Sequence, residues 1–140
     1  MNFSELLSDL SIHYNALIRK AASGLGLTAS QALHLISIPY DGIPMSGLSK
    51  KLGLDTSTLT RNIQKLESLG LVKRTRYIYD KRILKIFLTA DGAQIVEGLD
   101  KKLSDINQSL VESLDIDSQE NLLEALECLV WSMDCLREAK

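Results

Sequence analysis

Between Phe3 and Ala21 the apolar positions Phe3, Leu6, Leu7, Leu10, Tyr14, Leu17, Ile18 and Ala21 recur at intervals of three and four, which places them on one stripe of a helix. The run predicts a long amphipathic first helix ending near Gly24 or Gly26. Thr28-Ala29-Ser30-Gln31 has capping-box spacing, so a second helix starts at Thr28 and stops before Pro39, because a proline disfavours helical backbone in the residue preceding it. After a turn at Asp41-Gly42-Ile43-Pro44, a short third helix covers Ser46 to Leu52 and stops at Gly53. Asp55 suits the N-cap of a fourth helix, with Leu59, Ile63, Leu66 and Leu69 inward and Gly70 at its end.

From Leu71 the period becomes two. Val72 to Tyr79 and Ile83 to Leu88 alternate β-branched and aromatic residues with charges, which predicts a hairpin turning at Asp80-Lys81. Helical spacing then returns. Thr89 caps a fifth helix through Val96, Leu99, Leu103, Ile106 and Leu110, and Asp117-Ser118-Gln119-Glu120 caps a sixth through Leu122, Leu126, Leu129, Met133 and Leu136. The predicted class is mainly α with a small β-hairpin and no internal repeat.

A chain of 140 residues, 45% hydrophobic and 24% charged, suffices for one compact domain without disulfides or a structural metal. Its first residues carry acids and polar groups too often for a signal peptide, and the uncharged stretch Ala21 to Tyr40 is too polar to span a membrane. The expected location is the cytoplasm. Cys128 and Cys135 suit a reducing compartment. Two helical turns separate them by about 10.5 Å, too far to bridge within one helix, so they are packed or partly exposed thiols, or pair across a two-fold axis as a redox switch.

Net charge is -2, but the distribution is uneven. Between Met45 and Leu88, ten bases (Lys50, Lys51, Arg61, Lys65, Lys73, Arg74, Arg76, Lys81, Arg82 and Lys85) face three acids (Asp55, Glu67 and Asp80), giving +7; six bases and fifteen acids elsewhere give -9. A basic centre with acidic flanks suggests a polyanion-binding module, although a solvated basic face has the same composition. In this window a short helix meets a second across Gly53-Leu54, the helix-turn-helix pattern, and the basic hairpin behind them reads as a wing. A helix fits the major groove of duplex DNA. Thr56, Ser57, Thr58 and Thr60 are small enough to approach phosphates and base edges closely, while Arg61, Gln64 and Lys65 reach further. Ser46, Lys51, Arg74, Asp80, Lys81 and Arg82 complete the candidate DNA-binding set. The alternative is a winged-helix module that contacts protein or RNA without a specific operator.

Nothing in the chain suggests an enzyme. No serine lies in a Gly-x-Ser-x-Gly setting, there is no glycine-rich phosphate loop, and His13 and His34 have no acid or cysteine at metal-ligand spacing, so neither cofactor nor metal is expected.

The run Leu48-Ser49-Lys50-Lys51-Leu52-Gly53-Leu54-Asp55-Thr56-Ser57-Thr58-Leu59-Thr60-Arg61, followed by Leu66-Glu67-Ser68-Leu69-Gly70-Leu71-Val72-Lys73-Arg74, Asp80-Lys81-Arg82 and Leu88-Thr89-Ala90-Asp91-Gly92, resembles the MarR family of transcriptional regulators nearly end to end. The wing's Asp-x-Arg with Leu-Thr-x-x-Gly behind it is the specific part. The resemblance implies a homodimeric winged helix-turn-helix repressor, relieved by a small ligand or an oxidant. Residues 1–27 and 90–140 would form the dimerisation helices of a single domain, and 28–89 the DNA-binding lobe. It further implies that Arg82 enters the minor groove from the wing, that Asp80 braces the loop through an arginine such as Arg74, and that Arg61 meets phosphate or base. Family wings often carry Asp-Pro a few residues before Asp-x-Arg; here Tyr77-Ile78 stand there, so the turn differs.

Dimerisation is also expected from the residues, since the apolar stripes of the first, fifth and sixth helices exceed what one small core can cover. The near-heptad of the sixth suits an interhelical seam or the intrachain core. A two-fold dimer sets its recognition helices about 34 Å apart and calls for double-stranded DNA with a near-palindromic operator. A pocket for a small-molecule effector is expected where the dimer helices meet the lobe, near His13, Tyr14, Leu17, Arg19, His34 and Ile38, with a filled core there as the alternative.

Overall fold

The computed structural model describes residues 1–139 and orders them as α1 (Phe3–Ser23), α2 (Ala29–Ile36), β1 (Ile43–Pro44), α3 (Met45–Leu52), α4 (Thr56–Ser68), β2 (Val72–Tyr77), β3 (Asp80–Leu88), α5 (Ala90–Glu112) and α6 (Ile116–Glu138). Contacts divide the chain into two compact units, Met1–Leu103 and a second from Ser104 onward, and the division falls within α5.

The first unit holds the core. Leu35, Leu48, Leu59, Ile63, Leu66, Ile86 and Leu99 are wholly buried, and Ile18, Ala21, Ala22 and Val72 nearly so. Leu99 comes from α5, and the others from α1 packed on α2, α3 on α4, and both α3 and α4 on the sheet. Capping boxes start α1, where Asn2 and Glu5 exchange bonds, and α2, where Thr28 and Gln31 do the same. Gly53, with φ of +68°, closes α3 in the left-handed conformation that only glycine adopts cheaply, and turns the chain sharply into α4.

The sheet is antiparallel in the order β1-β3-β2. β1 occupies residues expected to form only a turn: Ile43 pairs with Ile86 and Pro44 with Lys85. Pro44 is tolerated because β1 is an edge strand. The hairpin turns at Ile78-Tyr79 rather than at Asp80-Lys81, and Tyr77 pairs with Asp80, the first residue of β3. A polar Asp-Lys-Arg run looks like a turn, but Asp80 bonds its own neighbour Arg82 and leaves the bend to the two residues before it.

Leu69, expected inward, is 48% exposed; α4 ends before it, and Leu71 takes the next core place. The Leu88-Thr89-x-x-Gly92 segment ties the start of α5 to the bend between α4 and β2. Thr89 donates from its backbone N–H to the Leu71 carbonyl at 3.0 Å and from Oγ1 to the Gly70 carbonyl at 2.6 Å, while Oγ1 accepts from the Gly92 N–H. A Cβ on Gly92 would collide with the Leu71 carbonyl oxygen.

The second unit contains the end of α5 and all of α6. Its cap is Asp115, which accepts from the Ser118 N–H at 2.7 Å, rather than Asp117, which lies in the first turn. No residue of α6 is buried, and Leu122, Leu123, Val130, Trp131, Met133 and Leu136 are exposed. Among the described residues no helix is long and apolar enough to cross a membrane.

Candidate nucleic-acid interface

Amphipathicity decides how α4 presents itself. Leu59, Ile63 and Leu66 are buried, which turns Thr56, Ser57, Arg61, Gln64 and Lys65 to solvent and leaves Thr58 and Thr60 half-buried. Its N-terminus is organised by Asp55, whose carboxylate accepts from the Thr58 N–H at 2.7 Å, from Ser57 Oγ at 2.8 Å and from Thr58 Oγ1 at 3.0 Å. These bonds, the Thr58 N–H foremost, hold the Asp55 carboxyl down at about 2. Thr60 Oγ1 donates to the Thr56 carbonyl. Three hydroxyls expected to read DNA are therefore engaged within the helix, and the exposed reach belongs to Arg61, Gln64 and Lys65. Arg61 itself donates to Thr58 Oγ1 at 3.4 Å.

A cleft of about 440 Å³ lies where the starts of α3 and α4 face the wing, and it brings together Ser46, Thr56, Thr60, Arg74 and Arg82 with Pro44 and Met45. Pro44, read from the sequence only as a turn residue, and Met45 carry no charge that would have marked them for this site. Lys51, exposed on α3, donates to the Ser37 carbonyl at 3.1 Å. Lys81 is exposed on the wing.

The expected Asp80–Arg74 pair does not form. Arg74 instead bonds Glu67 near the end of α4, at 2.8 and 3.0 Å, and so brackets the root of the wing to the recognition helix. Asp80 pairs with Arg82, accepting its Nε and Nη2 at 3.0 Å and its backbone N–H at 3.1 Å. Two residues of separation at the start of a strand make that fork local, whereas reaching Arg74 would require crossing the hairpin. The Arg82 guanidinium holds the Asp80 carboxyl below its usual range, and Asp80 in turn raises Arg82. With its side chain 90% exposed, Arg82 stays available at the wing. Lys85 is placed differently: its Nζ sits over the Tyr77 and Phe87 rings, at 5.1 and 5.5 Å.

Of the residues expected at an effector pocket, His34 lines two clefts beside α2. One, of about 250 Å³, includes Gln31, Asn62 and Lys65; the other, of about 230 Å³, includes Asn15, Leu33 and Leu52. Neither includes His13, Tyr14, Leu17, Arg19 or Ile38. His13, Tyr14 and Arg19 are exposed on α1, Leu17 is half-buried, and Ile38 is in the core. Cys128 and Cys135 are free and exposed on α6. Among the described residues no group of three or more His, Cys, Asp or Glu is placed to hold a metal ion.

A helix pair closed by a left-handed glycine, an exposed polar recognition face and a basic β-wing define a winged helix-turn-helix protein. The profile of the MarR family matches residues 27–84. The chain is 37% identical over 108 residues to the HTH-type transcriptional regulator SarZ of Staphylococcus epidermidis, across 75% of this chain and 70% of that one. It is 30% identical over 103 residues to YdgJ of Bacillus subtilis, an uncharacterized HTH-type transcriptional regulator; the match covers 72% of this chain but 62% of that relative, under two thirds of its length. Among solved structures, it superposes on a crystal structure of a mutant MarR from E. coli complexed with operator DNA, with a TM-score of 0.77 and 30% identity over 90% of this chain and 91% of that one. The chain belongs to the MarR family.

Proposed function

We propose that this chain is a cytoplasmic, sequence-specific, DNA-binding transcriptional regulator that acts as a homodimer, represses by occupying a near-palindromic operator, and is released by a small ligand or an oxidant. The observation that carries the reading is the cleft that unites Ser46, Thr56 and Thr60 of the helix-turn-helix with Arg74 and Arg82 of the wing. Two basic elements converging on one face can follow a groove and its flanking phosphates together. Arg61, Gln64 and Lys65 would meet bases and phosphates of the major groove, Lys51 and Lys81 the backbone, and Arg82 the minor groove. Ser57, Thr58 and Asp80 act as supports, holding the cap and the wing. Residues 28–89 form the DNA-binding lobe, and residues 1–27 and 90–140 supply the dimer.

The dimer reading rests on apolar side chains left in solvent: Phe3, Leu6, Leu10 and Ile12 on α1, and Leu123, Val130, Trp131 and Leu136 on α6. Surface of this kind on a small protein marks an interface. Regulation by occupancy needs no catalytic step, so the chain is read as a non-enzyme. Selection from a pool of random duplexes tests the proposal. A two-fold-symmetric site should be enriched and should survive competition from excess random DNA; no enrichment would move the function to a protein or RNA partner.

A further inference from the structure

Among the described residues His34 is the buried polar side chain of the core, 3% exposed, and both its ring nitrogens are bonded. Nδ1 lies 2.6 Å from the Ser30 carbonyl, which can only accept, so the ring proton sits on Nδ1. That leaves Nε2 bare, and it accepts from Asn62 Nδ2 at 3.1 Å. Asn62 stands in the middle of α4, next to Arg61 and three residues before Lys65. The bond thus joins α2, which packs on α1, to the helix that carries the DNA-facing side chains.

We infer that His34 is a positioning residue for the recognition helix, that the neutral Nδ1–H ring fixes α4 through Asn62, and that protonation at Nε2 releases it, so that acid weakens operator binding. The chemistry is a change of role: a protonated Nε2 donates, and it then faces an amide N–H2 that also donates. Rotating the Asn62 amide would offer Oδ1 instead, but with an added charge inside the core. Among the residues lining the two clefts beside the ring, Lys65 of α4 is the one charged side chain, of the same sign as the protonated ring. Asn15 of α1, Leu52 of α3, Leu54, and Thr28, Ser30, Gln31 and Leu33 are uncharged. No charge there compensates a protonated ring.

The inference rests on the DNA-binding reading for its output, and it opposes the trend that bulk electrostatics predicts. Acidification makes the whole chain more positive, which by itself strengthens binding to a polyanion. A loss of affinity in acid therefore points to a specific group. With the duplex selected by the wild-type protein, at fixed salt, affinity measured at a series of pH values from neutral downward should fall about tenfold or more before the protein unfolds. His34→Gln is uncharged throughout and should lose this fall, whereas His13→Gln, at the exposed histidine of α1, should keep it. An unchanged acid loss in His34→Gln overturns the inference. Should His34→Gln fail to fold, Asn62→Leu removes the donor from the other side; it should bind more weakly at neutral pH with a flattened profile, and a wild-type profile in it overturns the inference equally. Nitrogen-15 NMR of the free protein separates this idea from the DNA reading. The proton must be found on Nδ1 at neutral pH, and acid must shift the α4 amide signals in the wild type but not in His34→Gln. A proton on Nε2, or α4 signals indifferent to acid, refutes the tie whether or not any duplex binds.

Discussion

Helices α4 and α6 both carry an apolar stripe at helical spacing, yet they meet opposite fates. α4 buries Leu59, Ile63 and Leu66 completely and shows solvent a polar and basic face. α6 buries nothing, and its Leu123, Val130, Trp131 and Leu136 stay exposed. Covering the apolar side of a helix with its own chain leaves the polar side as the functional surface; leaving the apolar side bare makes that side the functional surface. Under the function proposed above, α4 meets a polyanion and α6 meets protein. The difference lies in what surrounds each stripe rather than in the stripe itself.

The bases of α4, together with those of α3 and the wing, yield the largest expected effect. If Lys51, Arg61, Lys65, Lys81 and Arg82 of each subunit neutralise about six to ten phosphates, affinity should drop roughly 10³- to 10⁵-fold between about 50 and 200 mM salt. Lys65→Ala should make the slope of log K against log salt shallower and weaken operator and random duplex alike, whereas Gln64→Ala should change sequence preference at nearly constant slope. A salt-insensitive interaction would take α4 out of the comparison as a DNA reader.

Truncation of the buried side comes next. Leu59→Ala leaves a cavity in a fully packed site and should cost about 2–5 kcal/mol in denaturant unfolding. On α6 the matching change acts on assembly. Sedimentation should give twice 15.5 kDa for the wild type, and Trp131→Glu should raise the dimer dissociation constant about 30-fold or more with the fold of the first unit retained. A wild-type monomer would mean that the bare stripe has some other cover.

Two smaller effects sharpen the account of α4 and its wing. Arg82→Ala should weaken operator binding about tenfold without altering folding, read by titration of the selected duplex. At the helix start, the Asp55 carboxyl should titrate near 2 instead of its ordinary 3.8. Because its folded value is lowered, the stability it contributes is complete above about pH 4 and is lost as the pH falls from there towards 2. An NMR titration of that carboxyl midway at its ordinary value would show that the cap is not formed in solution.

Much of the fold could be read in one dimension, because its causes are local. The spacing of Leu59, Ile63 and Leu66 marked the buried face of α4, Thr28 with Gln31 marked a helix start, and Gly53 marked the turn between the paired helices. The Leu-Thr-x-x-Gly segment was recognisable as a pattern, but its reason is spatial: Thr89 and Gly92 fit α5 against the backbone at Gly70 and Leu71. Errors gathered where a local signal had two solutions. Asp80 reads equally as a turn residue or as the first residue of a strand, and Asp115 and Asp117 both stand three residues before a polar residue at capping spacing, although only Asp115 precedes α6.

Pairing across the fold lay beyond the sequence altogether. Which acid takes Arg74, which helix receives the His34 ring, and whether Ile43–Pro44 joins a sheet depend on residues 7, 28 and about 43 positions away. Residue types and their spacing determined that this chain would have paired helices, a basic wing and a surplus of apolar surface, since propensity, capping and amphipathic period act within a turn or two of helix. Only the tertiary structure decided which hydroxyls the Asp55 cap consumes, which bases stay exposed and which apolar stripe is left uncovered, because those outcomes depend on the distances between side chains that the chain brings together only when it folds.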